Sequence, residues 1–255
     1  MELHTQYIAF ITISRKEITR VLRIWPQTFV PPIITSSLYF IIFGTVLGQH
    51  IGHVDGVSYI NFILPGLVLM NVISSSYGNS VSSFFSEKFQ RSIEEIIKSP
   101  AKSYVILFGY SAGGVMRGTI NGVAIIIVGA FFTDLKIYDI PLMIIIILMS
   151  SLLFSILGII NGIFAKTWDD VNWVTSFAIT PMSYLGGIFY SVKHLSEFWQ
   201  KATMLNPIFY FIDSFRYAML GIKTLEPQVT IFAGLCFILF FSVIATLLFN
   251  KLMRR

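Results

Sequence analysis

A dense group of charged side chains near the middle of the chain is the clearest candidate for a binding function. It occupies residues 86–102 and separates two long uncharged runs. Ser92 and Glu95 have the spacing of a capping box, in which a hydroxyl and a carboxylate satisfy backbone N–H groups at the start of a helix. Pro100 forces Ser99 out of the helical region. The spacing therefore predicts a short helix over about residues 92–99.

The two faces of this predicted helix differ in polarity. Three isoleucines share one face and three charged residues the other: Ile93, Ile96 and Ile97 against Glu94, Glu95 and Lys98. A helix shorter than roughly 12 residues is marginal on its own in water, so it has to pack against something. The spacing favours equally a groove on another protein and the headgroup surface of a membrane.

Arg117 is the second candidate, because it stands deep inside an apolar run. It lies 13 residues beyond residue 104, where we expect a span to begin, which is about 20 Å of helix rise. An arginine at that depth is a candidate functional residue. The alternative is a structural arginine that binds helix carbonyls or a carboxylate such as Asp169 or Asp170.

Other groups of reactive residues give weaker signals. A possible metal-ligand set is formed by His50, His53 and Asp55. These residues lie in one short loop without a fourth ligand, so we expect a loop there and no metal site. Cys236 is the single cysteine. No phosphate-binding loop, dinucleotide fingerprint, zinc-protease helix or nucleophile elbow is present. The sequence predicts neither an enzyme nor a cofactor site, and any ATP would bind to another chain.

The composition indicates what positions these residues. Of 255 residues, 55% are hydrophobic and 12% charged, against about 25% charged in ordinary soluble domains. Uncharged stretches longer than the roughly 20 residues that cross a bilayer recur along the chain. We therefore expect an all-α polytopic membrane protein. The excess of basic over acidic residues does not indicate nucleic-acid binding, because the cytoplasmic loops of membrane proteins are rich in Lys and Arg.

The pattern predicts two parts: an amphipathic connecting helix at residues 1–25 and a single six-span domain at 26–255. In the first part, Lys16, Arg20 and Arg23 form a basic stripe suited to an interfacial helix on anionic headgroups. The six spans are expected near residues 27–48, 60–84, 104–132, 141–165, 171–190 and 229–250. This arrangement places 12 Lys and Arg inside and five outside, with both termini in the cytoplasm.

Residues 193–224 are too polar for an ordinary span and carry good helix boundaries. Asn206 and Pro207 form an N-cap and a first-turn proline, and Gly221 is a good helix stop. About 14 residues lie between them, too few to cross. We predict an external re-entrant helical hairpin before the last span, with Asp213 and Arg216 as a pair on the helix surface.

Six long stretches of the chain carry a family resemblance: VPPIITSSLYFIIFG at 30–44, YINFILPGL at 59–67, SSFFSEKFQRSIEEIIKSP at 82–100, NGIFAKTWDD at 161–170, TPMSYLGGIFYS at 180–191 and LNPIFYFIDSFRYAMLGI at 205–222. Together they resemble the permease subunits of the ABC-2 type transporter family. The resemblance implies six spans, a connecting helix and the external hairpin. It also implies a homodimer bound to two copies of a separate ABC ATPase, which would hold ATP and Mg²⁺.

In that family a coupling helix docks into the ATPase, and here it corresponds to residues 92–99. The resemblance thus assigns docking to Ser92, Ile93, Glu94, Glu95, Ile96, Ile97 and Lys98. We expect an exporter permease of the bacterial inner membrane, with a self-contained channel or structural membrane protein as the alternative. An apolar path suits a drug, a lipid or a lipid-linked glycan as cargo, so all three remain open.

Overall fold

The protein is helical along almost its whole length in the computed structural model, which describes residues 2–133, 136–222 and 224–253. Its α-helices are α1 (Glu2–Arg23), α2 (Trp25–Tyr39), α3 (Gly48–Ile51), α4 (Tyr59–Phe89), α5 (Ile93–Lys98), α6 (Ser103–Ala130), α7 (Ile140–Phe164), α8 (Trp168–Val174), α9 (Thr180–Leu185), α10 (Glu197–Met204), α11 (Pro207–Leu220) and α12 (Pro227–Met253). π-Helical turns at Phe40–Leu47 and Thr175–Ile179 join α2 to α3 and α8 to α9, and a 3-10 turn at Val192–His194 precedes α10. A two-stranded hairpin, β1 (His53–Val54) and β2 (Val57–Ser58), is a small exception to the predicted all-α class.

Within the described residues, five helices are long and apolar enough to cross a membrane. They are Trp25–Ile51, Tyr59–Phe89, Ser103–Ala130, Ile140–Phe164 and Pro227–Leu252, and they match the first four predicted spans and the last. The predicted span at 171–190 corresponds to a continuous helix at residues 168–185, here called the α8–α9 helix. The first turn of the α8–α9 helix carries Asp169 and Asp170, and this helix is not one of the five candidate membrane spans.

Helix α4 forms the centre of the bundle and packs against α6 and α7 along most of its length. Small residues make this close packing possible. A Cβ added at Gly114 would lie 2.8 Å from the Ser76 carbonyl oxygen, and one at Gly158 would lie 2.6 Å from that of Tyr77. Glycines at such interfaces let helix backbones approach in the absence of a hydrophobic driving force.

The helix boundaries predicted at Asn206–Pro207 and at Gly221 are confirmed by the local structure. The Asn206 side chain accepts a hydrogen bond from the Ile208 N–H at 3.0 Å, and Gly221 ends α11 in the left-handed conformation with φ of 73°. Helix α10 precedes this cap. Each boundary depends on residues that adjoin it in the chain, which is why the sequence predicts them well.

Candidate functional site

The short charged helix predicted at residues 92–99 is present as α5, between α4 and α6. Ser99 is extended, with ψ of 157°, directly before Pro100. The proline therefore ends the helix as expected.

The predicted capping box is wrong. Ser92 has helical backbone angles, φ −67° and ψ −20°, and its side chain does not cap α5. Its hydroxyl donates to the carbonyl oxygen of Glu87 at 3.3 Å instead. The cause lies upstream, because α4 continues to Phe89 and the chain turns through Arg91 at a φ of 61°. Ser92 thus enters α5 already in helical geometry, which the spacing alone does not reveal.

The isoleucine face of α5 packs on this chain's own bundle. Ile93 is only 5% exposed and belongs to the core, and Ile96 packs against the same core. The side chain of Ile97 lies outside the described residues. This short helix is stabilised here by contact with its own chain. Ile93 is therefore not exposed in this chain, and its assignment to docking stays a prediction.

The exposed face of α5 is charged. Glu94, Glu95 and Lys98 all lie in solvent-accessible positions. Glu94 and Lys98 form an ion pair with 3.7 Å between the charged atoms, and both side chains are more than half exposed. Such a pair contributes little to stability, so these charges remain available to another molecule.

Helix α1 is tied to the segment that follows α5. The Gln6 amide nitrogen donates to the Pro100 carbonyl oxygen at 2.9 Å, and the Lys102 backbone N–H donates to the Gln6 side-chain oxygen at 2.8 Å. One side chain therefore satisfies two backbone groups of the loop between α5 and α6.

Helix α1 is also tied to the end of α4, just before α5. Lys16 forms an ion pair with Glu87, and the Tyr110 hydroxyl donates a hydrogen bond to the same carboxylate. Ser92 binds the Glu87 backbone, as described above. Both ends of α5 are thus connected to α1 through hydrogen bonds and charge.

A buried polar group lies further along α1. The Glu17 carboxylate is fully buried and accepts hydrogen bonds from the Ser83 hydroxyl at 2.8 and 2.9 Å and from Arg20 at 3.1 Å. Arg20 also donates to the Asn79 side-chain oxygen at 3.0 Å. Burial raises the pKa of Glu17, although the Arg20 guanidinium opposes this shift.

The buried side of α1 follows α6 in a parallel register. Ile13 lies against Gly109 and Glu17 against Gly113, where an added Cβ would meet their side chains at 2.8 Å. Gln6 binds next to the start of α6. The interfacial position predicted from the stripe of cations stays a prediction, and it does not include this packing on α6. Glu17 itself is the sequence signal for this packing. It lies one helical turn from both Ile13 and Val21, which are buried, so the three side chains share one face of α1.

Arg117 lies on the same face of α6, one turn beyond Gly113. Its Nε atom is buried and has no hydrogen-bond partner among the described residues. The alternative partner Asp170 is engaged elsewhere, since its carboxylate accepts the N–H groups of Lys166 and Thr167 at 2.8 and 3.0 Å. The alternative pairing of Arg117 with Asp170 is not observed, and the functional role of Arg117 stays a prediction.

Asp213 and Arg216 are not the surface pair predicted from their spacing. Both are buried. Asp213 accepts hydrogen bonds from the backbone N–H groups of Thr224 and Leu225 at 2.8–3.1 Å. The Arg216 guanidinium donates to the Gly187 carbonyl oxygen at 2.6 Å and lies 4.1 Å from the centre of the Phe62 ring. The pair holds α11 to neighbouring segments, which helix periodicity alone does not show.

No group of three or more His, Cys, Asp or Glu side chains is placed to hold a metal ion within the described parts of the chain. His50 instead lies against the Val46 carbonyl, with 3.0 Å between the ring Nδ1 and the oxygen.

The family model for ABC-2 type transporters matches residues 8–220, which include α5, Arg117 and all of α11. This chain belongs to the ABC-2 type transporter family. It is 45% identical over 250 residues to the inner membrane transport permease YadH of Escherichia coli K12, covering 98% of this chain and 97% of that protein. It is 28% identical over 230 residues to nodulation protein J of Neorhizobium galegae, covering 88% and 86% of the two chains. The nodulation protein J of Rhizobium meliloti is 28% identical over 223 residues, or 86% of this chain and 82% of that one.

Proposed function

We propose that this chain is the membrane permease of an ATP-driven exporter of the bacterial inner membrane, and that separate ABC ATPase subunits supply the energy. Family membership supports a transport role, and the printed name of the relative from Escherichia coli supports the location. One observation supports an ATPase as the energy source. The exposed face of α5 is charged, with Glu94, Glu95 and Lys98, and the other face of this helix packs on the bundle.

The proposed topology has six spans, with the α8–α9 helix as the fifth and α10–α11 as the external re-entrant hairpin. Both termini then lie in the cytoplasm. Arg216, one of the five cations counted outside, is bonded inside the protein. Arg20 and Lys88, which belong to the 12 counted inside, are bonded within the protein as well. With these three left out, the cations still favour the cytoplasmic side for both termini.

The proposed mechanism uses α5 as the contact through which the ATPase acts. A partner shifts an equilibrium between inward and outward states only through contacts that differ between the two. The charged face of α5 supplies such contacts. Because Gln6 and Lys16 connect the flanks of α5 to α1, a displacement of α5 reaches α1, and α1 contacts α6 through Gly109 and Gly113.

The proposed assembly is a homodimer with two ATPase copies. The first span is the least buried of the five candidate spans. Exposed aliphatic residues run along it, including Val30, Ile34, Leu38 and Ile41. A second protomer packed on this face would cover it and enclose a path between the two chains.

Charge reversal on α5 tests the docking proposal. The double substitution Glu94→Lys and Glu95→Lys changes only exposed positions, so we expect normal folding and at least a tenfold loss of ATPase co-purification. Glu197→Lys reverses an exposed acid on α10, on the opposite side of the proposed membrane, and serves as the control. Undiminished ATPase binding by the double variant would contradict the proposal. Transport that persists without any ATPase would indicate the self-contained channel.

A further inference from the structure

A cavity of about 410 Å³ lies between α4, α7, the α8–α9 helix, α11 and α12. Its wall is almost entirely apolar, with Tyr77 and Asn161 as polar exceptions. The largest part is formed by Leu153, Phe154, Leu157, Ile160, Phe237 and Phe241. Ligand sites of 300–1,000 Å³ typically have this character, with mostly hydrophobic and aromatic walls and few polar groups.

The shape and depth of the cavity are those of a slot within the bilayer. Its α7 wall extends from Leu153 to Phe164, about 16 Å at 1.5 Å of rise per residue. The opposite wall extends from Val174 to Met182. Three of its walls, α4, α7 and α12, are candidate membrane spans. An occupant therefore has to be apolar, elongated and available from the hydrocarbon interior.

The α8–α9 helix is incompletely packed where it borders this slot. Only Val171, Ile179 and Ser183 are buried among its residues. Its π-helical turn lies at the cavity, with Ala178 and Ile179 in the wall. Such turns are rare and occur frequently at functional sites. An unfilled slot also leaves wall atoms without van der Waals partners.

We propose that one acyl chain of a bilayer phospholipid occupies this cavity and completes the contact between the α8–α9 helix and the bundle. The proposal assigns an intramolecular lipid site within a single protomer, separate from any path between two protomers. It does not depend on ATPase docking. Lipid occupancy then controls how firmly the α8–α9 helix is held.

Photochemical labelling tests the site in the full chain reconstituted in phosphatidylethanolamine and phosphatidylglycerol. The probe is a phosphatidylethanolamine with a diazirine midway along one acyl chain. We expect adducts, mapped by peptide mass spectrometry, on cavity residues such as Leu157, Ile160 and Ala178. Adducts restricted to outward-facing residues such as Leu239, which is 65% exposed, would overturn the proposal. This mapping needs no variant.

A cavity-filling variant adds a matched comparison. Ala178→Trp places an indole in the slot, and we expect the cavity adducts to fall at least fivefold. Phe177→Trp is the control, because Phe177 is 68% exposed and absent from the cavity wall. Equal adduct yields in the two variants would contradict the proposal. Absent lipid adducts together with disulfides between copies carrying Ala178→Cys in a Cys236→Ser background would identify a second protomer as the occupant.

Discussion

Glu17 shows how a single buried side chain fixes the position of α1. Its carboxylate receives hydrogen bonds from Ser83 and Arg20 and has no exposed surface. Removal from water disfavours its charged form, and the neighbouring arginine offsets this only in part. The fold therefore holds the pKa of Glu17 above its ordinary value.

We predict that Glu17→Gln removes part of the pH dependence of stability. Because burial raises the pKa of folded Glu17 above 4.5, its contribution to stability is greatest below that value and is lost as the pH rises through the folded pKa. The amide of the introduced glutamine retains an acceptor for the Ser83 hydroxyl and does not ionise. Thermal unfolding between pH 4.5 and 8 should give a flatter profile for this variant, whereas the exposed Glu94→Gln should match the wild type. Identical slopes in all three proteins would contradict the assignment.

Arg117 in α6 and Arg216 in α11 provide a comparison between two arginines packed in the protein. Replacement of Arg216 by Leu removes its hydrogen bond to Gly187 and its contact with Phe62, so we expect a loss of about 2 kcal/mol in stability and a lower yield. The Nε atoms of both arginines are buried without a partner among the described residues, but no such hydrogen bond or ring contact is described for Arg117, so Arg117→Leu should reduce transport more than expression. Expression levels and export rates measured side by side check this. Equal losses of both in Arg117→Leu would assign that arginine a structural role.

The contact of α6 with α4 depends on glycine at particular positions. A methyl group at Gly114 would meet the Ser76 carbonyl at 2.8 Å, whereas one at Gly78 would meet nothing within 4 Å. We predict that Gly114→Ala destabilises by about 1–3 kcal/mol through overpacking. Gly78→Ala should be neutral or stabilising by about 0.5–1 kcal/mol, because alanine is the better helix former. Thermal unfolding in detergent measures both, and a stable Gly114→Ala would be inconsistent with the packing.

The link between α1 and α5 makes a prediction at one backbone amide. The Lys102 N–H donates to Gln6, so Gln6→Ala should expose it and accelerate its hydrogen exchange several-fold. Gln27→Ala, at an exposed position of α2, is the control. Exchange measured by mass spectrometry over residues 99–104 checks this. Unchanged protection of this amide in Gln6→Ala would show that the hydrogen bond between Lys102 and Gln6 contributes little to holding the segment.

Some elements of this fold are predictable from sequence because their causes are local. The Asn206 cap, the left-handed Gly221 and the extended Ser99 before Pro100 each depend on adjacent residues. The fate of Ile93 was not predictable, because it depends on which distant surface lies next to α5. The partners of Glu17 and Arg216 were missed for the same reason, since helix periodicity identifies a face but not the helix that covers it.

Viewed as a whole, the molecule is a tightly packed bundle of α4, α6 and α7 with less buried helices around it. The spans Trp25–Ile51 and Pro227–Leu252 are far less buried than Tyr59–Phe89. Helix α1 joins the bundle and contacts both flanks of α5. In the proposed transporter, the outer spans face lipid or a second protomer, and α5 is the part of this surface that an ATPase contacts.

A cross-linking experiment at position 95 distinguishes this arrangement from a self-contained membrane protein. A photoreactive amino acid replaces Glu95 on α5 in one variant and Lys201 on α10 in the other, both exposed positions. In native membranes, the variant at 95 should yield an adduct with an ABC ATPase, and the variant at 201 should yield none. An ATPase adduct from position 201, or none from position 95 when transport is active, would contradict docking on α5.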